Sequence, residues 1–221
     1  MSEKTKLTRR HFLLLAGGTV GAAALTCGGL AISTHPPEVK FIEENFGDGT
    51  NMKDKILVAY ASKCGSTGQV AQAIGQALAN AGATVDVRPL NKVSDLSAYR
   101  AVVLGSAIRQ AKWLPEAAKF VAAHQPALSR VPTAYFTVCM TLSEDTEESR
   151  RKVVTYLEPV RQILKPVEEG FFAGKMNYGQ LGFVERLMVE RVVHVPQGDF
   201  RNWTAIQTWA QALPVRLELN S

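Results

Sequence analysis

The stretch from Lys55 to Gly68 constrains this chain more than any other. After its first residue, Lys55–Ala61 is an unbroken apolar run, as expected of a parallel strand covered on both faces. A short loop, Ser62–Gly68, comes next, and apolar residues then recur at Val70, Ala71, Ile74, Ala77 and Leu78, which predicts a helix over 67–80. A strand, a turn and a helix in that order must cross right-handed to a parallel neighbour. Further strands are predicted at 84–90, 101–107, 133–140 and 169–173, with helices at 115–128, 147–164, 181–193 and 203–213. The alternation predicts an α/β fold, a parallel sheet with helices on both faces. Ligands of such sheets sit beyond the carboxyl ends of the strands, so the loops after Ala61, Ala107 and Met140 are the ones that carry function.

The first of these loops has the composition of an anion cradle. Ser62, Lys63, Cys64, Gly65, Ser66, Thr67 and Gly68 place three hydroxyls and two glycines where a helix begins, so hydroxyls and helix amides can hold a phosphate without a dedicated cation. Gly65 lets the backbone come close to a ligand, and Thr67 is expected to cap the helix. The loop lacks the Gly-Lys-Ser/Thr ending of a nucleoside-triphosphate loop and the glycine spacing of a dinucleotide fold. Ser62 and Ala107 stand where a phosphate-accepting receiver domain needs carboxylates.

Val58, Tyr60, Ser62, Gly65, Thr67, Ala71 and Ile74 fall on the flavodoxin signature with its spacing, and only Ala59 departs from it. The chain therefore resembles the FMN-binding flavodoxin-like family. That resemblance implies a three-layer sandwich around a five-stranded parallel sheet of order 2-1-3-4-5. It also implies phosphate contacts from the hydroxyls of Ser62, Ser66 and Thr67 and the amides of Lys63, Cys64 and Gly65. By position, Ala107, Ile108, Arg109 and Trp113, with Thr141 and Leu142, would border the flavin ring. Trp113 either stacks on the ring or staples the start of a helix. Arg109 either pairs with an anionic flavin or a substrate carboxylate, or lies in solvent. Leu104 to Arg109 with Trp113, Ala173 to Lys175, and Gly198 to Trp203 look like the branch that includes menaquinone-dependent protoporphyrinogen oxidases.

The resemblance implies flavin-borne redox chemistry, with a redox partner protein or a quinone exchanging electrons and no protein-borne general base or nucleophile. It leaves three readings: an electron-transfer oxidoreductase at the membrane, a porphyrinogen dehydrogenase, or a binding module that keeps the fold without FMN. The helix predicted at 181–193 either covers the sheet with its apolar face or presents Phe183 and Met188 to a quinone or lipid surface.

The beginning of the chain reads as an address. Arg9 and Arg10 precede Phe12–Ile32, which carries no charged residue, a pattern that resembles a twin-arginine export signal. Residues 1–33 are expected to be a signal, either cleaved or retained as an apolar membrane-anchoring helix, residues 34–52 a linker, and 53–215 the FMN-binding domain. Basic and acidic residues balance over 1–52, so the net charge of +5 belongs to residues 53–221. That excess is not gathered into basic blocks with interleaved aromatics, which argues against nucleic acid. The three cysteines and four histidines form no metal-ligand spacing, so no metal site is expected. Cys64 and Cys139 lie beyond strands separated by a third, about 9 to 10 Å apart by strand spacing, too far for a disulfide.

Overall fold

A computed structural model describes residues 39–47, 55–181 and 196–219. The strands are β1 (Glu44–Phe46), β2 (Lys55–Ala61), β3 (Thr84–Pro89), β4 (Ala101–Arg109), β5 (Lys112–Trp113), β6 (Thr133–Cys139), β7 (Glu168–Ala173), β8 (Lys175–Met176) and β9 (Gly198–Asp199). The helices are α1 (Ser66–Asn80), α2 (Pro115–Leu128), α3 (Glu147–Thr155), α4 (Glu158–Arg161) and α5 (Trp203–Arg216). Five parallel strands run β3-β2-β4-β6-β7, which in order of expected strands is 2-1-3-4-5. The sheet is larger and more mixed than expected: β1 adds antiparallel to the edge of β3, and β5 folds back on β4 as a hairpin.

Side-chain alternation along the buried strands feeds two cores. From β2, Ile56, Val58 and Tyr60 face one layer, where they meet Val70, Ile74 and Leu78 of α1 and Ile206, Ala210 and Leu213 of α5. Leu57, Ala59 and Ala61 face the other, with Leu114, Phe120, Val121, Leu142 and Leu157. Both faces are covered, which is why β2 after Lys55 carries no charged residue and why the few polar groups of its neighbours, such as Asp86, Ser106 and Thr137, are buried. Gly105, in the middle of β4, accepts the Phe136 ring, which stands 1.9 Å from where a Cβ would be. No larger residue fits there without displacing a buried aromatic.

Several expectations change. The segment read as a linker carries β1, held by Arg88 donating to the Glu44 carbonyl at 2.6 Å and by pairing of Glu44, Asn45 and Phe46 with Val87, Asp86 and Val85. The helix expected at 147–164 divides into α3 and α4. Pro159 has no amide to donate and its ring crowds the preceding turn, so the chain bends at Tyr156–Leu157. Between β3 and β4 there is only a short 3₁₀ turn, Leu90–Lys92, and then extended chain. The apolar run 12–32 and nearly all of the helix expected at 181–193 lie outside the described residues. Among those described, no helix is long and apolar enough to cross a membrane.

Candidate functional site

The loop after β2 is built as a helix start without a side-chain cap. Gly65 is the N-cap, held at φ +80°, and Ser66 already begins the helix, so Thr67 sits inside the first turn and does not cap it as expected. The Gly65 amide turns back to donate to the Ser62 Oγ at 3.0 Å. It therefore shapes the loop instead of pointing at a ligand, while the Ser62 hydroxyl keeps its own proton to donate. The first helical bond is Gln69 N–H to the Gly65 carbonyl at 3.3 Å, so the amides of Ser66, Thr67 and Gly68 have no acceptor within the helix. No side chain caps this end, and no acidic residue occupies the first turn. The Thr67 Oγ1 is fully buried and has no hydrogen-bond partner. Such a hydroxyl costs about 1–3 kcal/mol unless something pairs with it. Lys63 is engaged elsewhere, with its ammonium 3.2 Å from Glu116 of α2. The end is thus positive through its amides and dipole, with an orphaned hydroxyl beside them, which fits a phosphate.

Next to this loop a cavity of about 480 Å³ opens at the carboxyl ends of the strands. Ser62, Lys63, Cys64 and Ser66 form one wall and Ala107, Ile108, Arg109 and Gln110 another. Val138, Cys139 and Met140, then Gly174, Lys175 and Met176, complete it together with Leu114 and Leu181. The lining is mainly apolar with hydroxyls at one end and cations at the rim, so a flat ring with a phosphate-bearing tail fits its chemistry. Burial pushes the Cys139 thiol up to about 11, so it stays protonated and adds no charge to the cavity at neutral pH. Cys64 and Cys139 are not joined in a disulfide. Among the described residues no group of side chains could hold a metal ion.

Of the residues expected at the site, Ser62, Lys63, Cys64, Ser66, Ala107, Ile108 and Arg109 line this cavity. Gly65 and Thr67 are not among the lining residues. Trp113 does not border the cavity: it is 4% exposed, donates its Nε1–H to the Thr137 Oγ1 at 2.9 Å and packs on Tyr135 at 4.8 Å between centroids. The β4–β5 hairpin pairs Trp113 with Ile108 and folds the indole into the core. Leu142 is likewise buried in the core, and Thr141 is not among the lining residues, because the chain enters a 3₁₀ turn at Met140 and leaves Val138–Met140 at the wall. Sequence reasoning missed Gln110, Leu114 and Val138–Met140 beside the expected loops, and the whole wall of Gly174, Lys175, Met176 and Leu181. The rule that places the other loops, ligands at the carboxyl ends of strands, applies equally to the end of β7.

The model of the flavodoxin domain family matches residues 57–202. A protoporphyrinogen IX dehydrogenase [quinone] of Leishmania major is 26% identical over 177 residues, covering 73% of this chain and 76% of that protein. The Escherichia coli K12 protein of the same description is 22% identical over 163 residues, covering 71% and 90%. An archaeal flavodoxin structure aligns with a TM-score of 0.47 at 17% identity, over 74% of this chain and 99% of the other. The chain belongs to the flavodoxin domain family, and its cofactor is the FMN that the uncapped helix end and the adjoining cavity fit.

Proposed function

We propose that this protein is an FMN-dependent oxidoreductase that passes electrons between a donor and a quinone or protein acceptor. The observation that carries this reading is the start of α1, where three amides and the buried Thr67 hydroxyl lack partners beside a largely apolar cavity. Bound FMN supplies the electron-accepting chemistry, and the chain supplies position and electrostatics. Ser62, Ser66 and Thr67 hold the phosphate end with the first-turn amides. Leu114, Val138 and Met140 exclude water from the ring, and Lys175 and Arg109 keep the rim positive. The test replaces Ser66 and Thr67 by glutamate in the full-length chain: a yellow wild type and a colourless variant are expected. A variant that keeps its flavin overturns the assignment.

A porphyrinogen as the electron donor is the narrower reading. Its support is the similarity to protoporphyrinogen IX dehydrogenases over about seven tenths of the chain, together with Lys175 and Arg109 at the rim, which suit propionate carboxylates. Anaerobic titration with protoporphyrinogen and a menaquinone analogue separates the two, because flavin turnover without porphyrin formation leaves only the electron carrier. For its location we propose export by the twin-arginine route, supported by Arg9 and Arg10 ahead of the uncharged run Phe12–Ile32. Cell fractionation with Arg9 and Arg10 changed to lysine checks it; unchanged distribution of the variant rejects that route.

A further inference from the structure

Residues 39–47 lie outside the span matched by the family model, yet they pack along the helix that presents the phosphate site. The Val39 Cγ1 stands 3.2 Å from where a Cβ on Gly65 would be. The Ile42 amide donates to the Tyr60 hydroxyl at 2.7 Å, and that hydroxyl donates to the Ile42 carbonyl at 3.1 Å. Tyr60, 1% exposed, presses on the first turn of α1: its Oη is 2.8 Å from the Cβ position of Gly68. One and two turns further, Gln72 donates to the Glu44 carboxylate at 2.8 Å and the Phe46 ring lies 3.2 Å from the Cβ position of Gly75. Positions 65, 68, 72 and 75 have helical spacing, so the segment and its Tyr60 joint track one face of α1 from the cradle backward.

We propose that Val39–Phe46 is a strap on the cofactor site, with Tyr60 as its positioning residue, and that strap docking and phosphate binding strengthen one another. The proposal rests on the FMN assignment. An anion at this helix end needs the Ser66, Thr67 and Gly68 amides to converge. The strap holds the two glycines that set their direction, Gly65 through Val39 and Gly68 through Tyr60. Order supplied by the strap is order the ligand does not have to impose, and by linkage the ligand holds the strap in return. Because the strap joins the domain to residues 1–38, loading of the cofactor is felt at the base of the N-terminal segment.

The test is hydrogen exchange on the full-length chain, alone and with FMN or riboflavin, which lacks the phosphate. FMN is expected to slow exchange of the Ile42 amide about tenfold, and riboflavin to leave it unchanged. In Tyr60→Phe, which loses both bonds to Ile42 but keeps the ring, FMN affinity is expected to fall about tenfold with riboflavin affinity unaltered. Ile42→Pro removes the donor without touching β2 and is expected to act in the same direction. Bound FMN with unchanged Ile42 exchange, equal protection by riboflavin, or wild-type FMN affinity in both variants overturns the strap and leaves the cofactor assignment intact. A wild type that binds neither flavin overturns both.

Discussion

Ser62 and Gly65 close the turn between β2 and α1 on themselves, with the Gly65 amide donating to the Ser62 Oγ at 3.0 Å while Gly65 sits at φ +80°. That bond determines where the helix begins, and so which amides are left for a ligand. Gly65→Ala forces a Cβ into a left-handed backbone at a cost of about 1–2 kcal/mol and pushes it toward Val39. Lower stability in urea and weaker FMN binding are expected together in that variant. An alanine variant that binds FMN as wild type would show that the turn is not what aims the amides.

Thr67 offers the opposite separation. Its buried hydroxyl has no partner, so Thr67→Val, nearly the same shape, is expected to raise apoprotein stability by about 1 kcal/mol and weaken FMN binding by a similar amount. Thermal unfolding of the apoprotein and a flavin fluorescence titration measure the two effects. A loss of stability in the valine variant would mean the hydroxyl already finds a partner in the apoprotein.

The hairpin from β4 to β5 turns through Gln110 and Ala111, at φ 52° and 58°. Both central residues of a two-residue turn of this kind favour Asn and Gly, and neither is present. Backbone strain of about 1 kcal/mol or more per residue is held at the rim of the cavity, since Gln110 is one of its lining residues. Ala111→Gly is expected to stabilise the protein by about 1 kcal/mol in urea denaturation. No gain in stability would mean the turn is unstrained.

Much of this arrangement is legible in the sequence alone. Parallel strands covered on both faces write themselves as continuous apolar runs, and such a run bounds β2 at Lys55 and Ala61. The cradle is legible because its hydroxyls and glycines are local in sequence. What stays hidden depends on distant pairing. Glu44–Phe46 is too short to show a period, and it becomes a strand only because the edge of β3 offers it backbone partners. Trp113 beside a ligand loop has the same sequence appearance whether it stacks on a flavin or fills a core. Only its register opposite Ile108 and its bond to Thr137 decide. Ala173 to Lys175 carry the branch resemblance in sequence, but that Gly174–Met176 walls the cavity follows only from the pairing of β7 beside β6.

Cys139 gives a prediction at alkaline pH. Burial raises its thiol from an ordinary 9.0 to about 11 in the folded chain. The native state therefore holds the proton more tightly than the unfolded chain: the corresponding stability is fully present below pH 9.0 and is lost as pH rises through about 11. Urea denaturation is expected to show falling stability over that interval, and a shallower fall in Cys139→Ala. At pH 8 iodoacetamide is expected to modify the partly exposed Cys64 and spare Cys139, with FMN slowing the reaction at Cys64 because it lines the same cavity. Equal labelling of the two thiols would place Cys139 in contact with solvent.

The acid side depends on Asp199, whose carboxyl is held below the ordinary 3.8 chiefly by hydrogen bonds from the Arg201 side chain. Arg201 donates from Nε at 2.7 Å and from Nη2 at 2.5 Å, while its Nη1 reaches Gln69 on α1 and its guanidinium lies over Trp203, 4.4 Å from the ring centroid. The pair thus ties β9 and the start of α5 to the helix that carries the phosphate site. A depressed carboxyl contributes stability that is present above its unfolded value and is lost as pH falls through the lower folded value. Asp199→Asn is expected to lower stability at pH 7 and to flatten its decline below pH 4. Because Arg201 then loses its anchor beside Gln69, FMN affinity at pH 7 is expected to weaken as well. An unchanged acid limb in the asparagine variant would mean that the arginine is held by Gln69 and Trp203 alone.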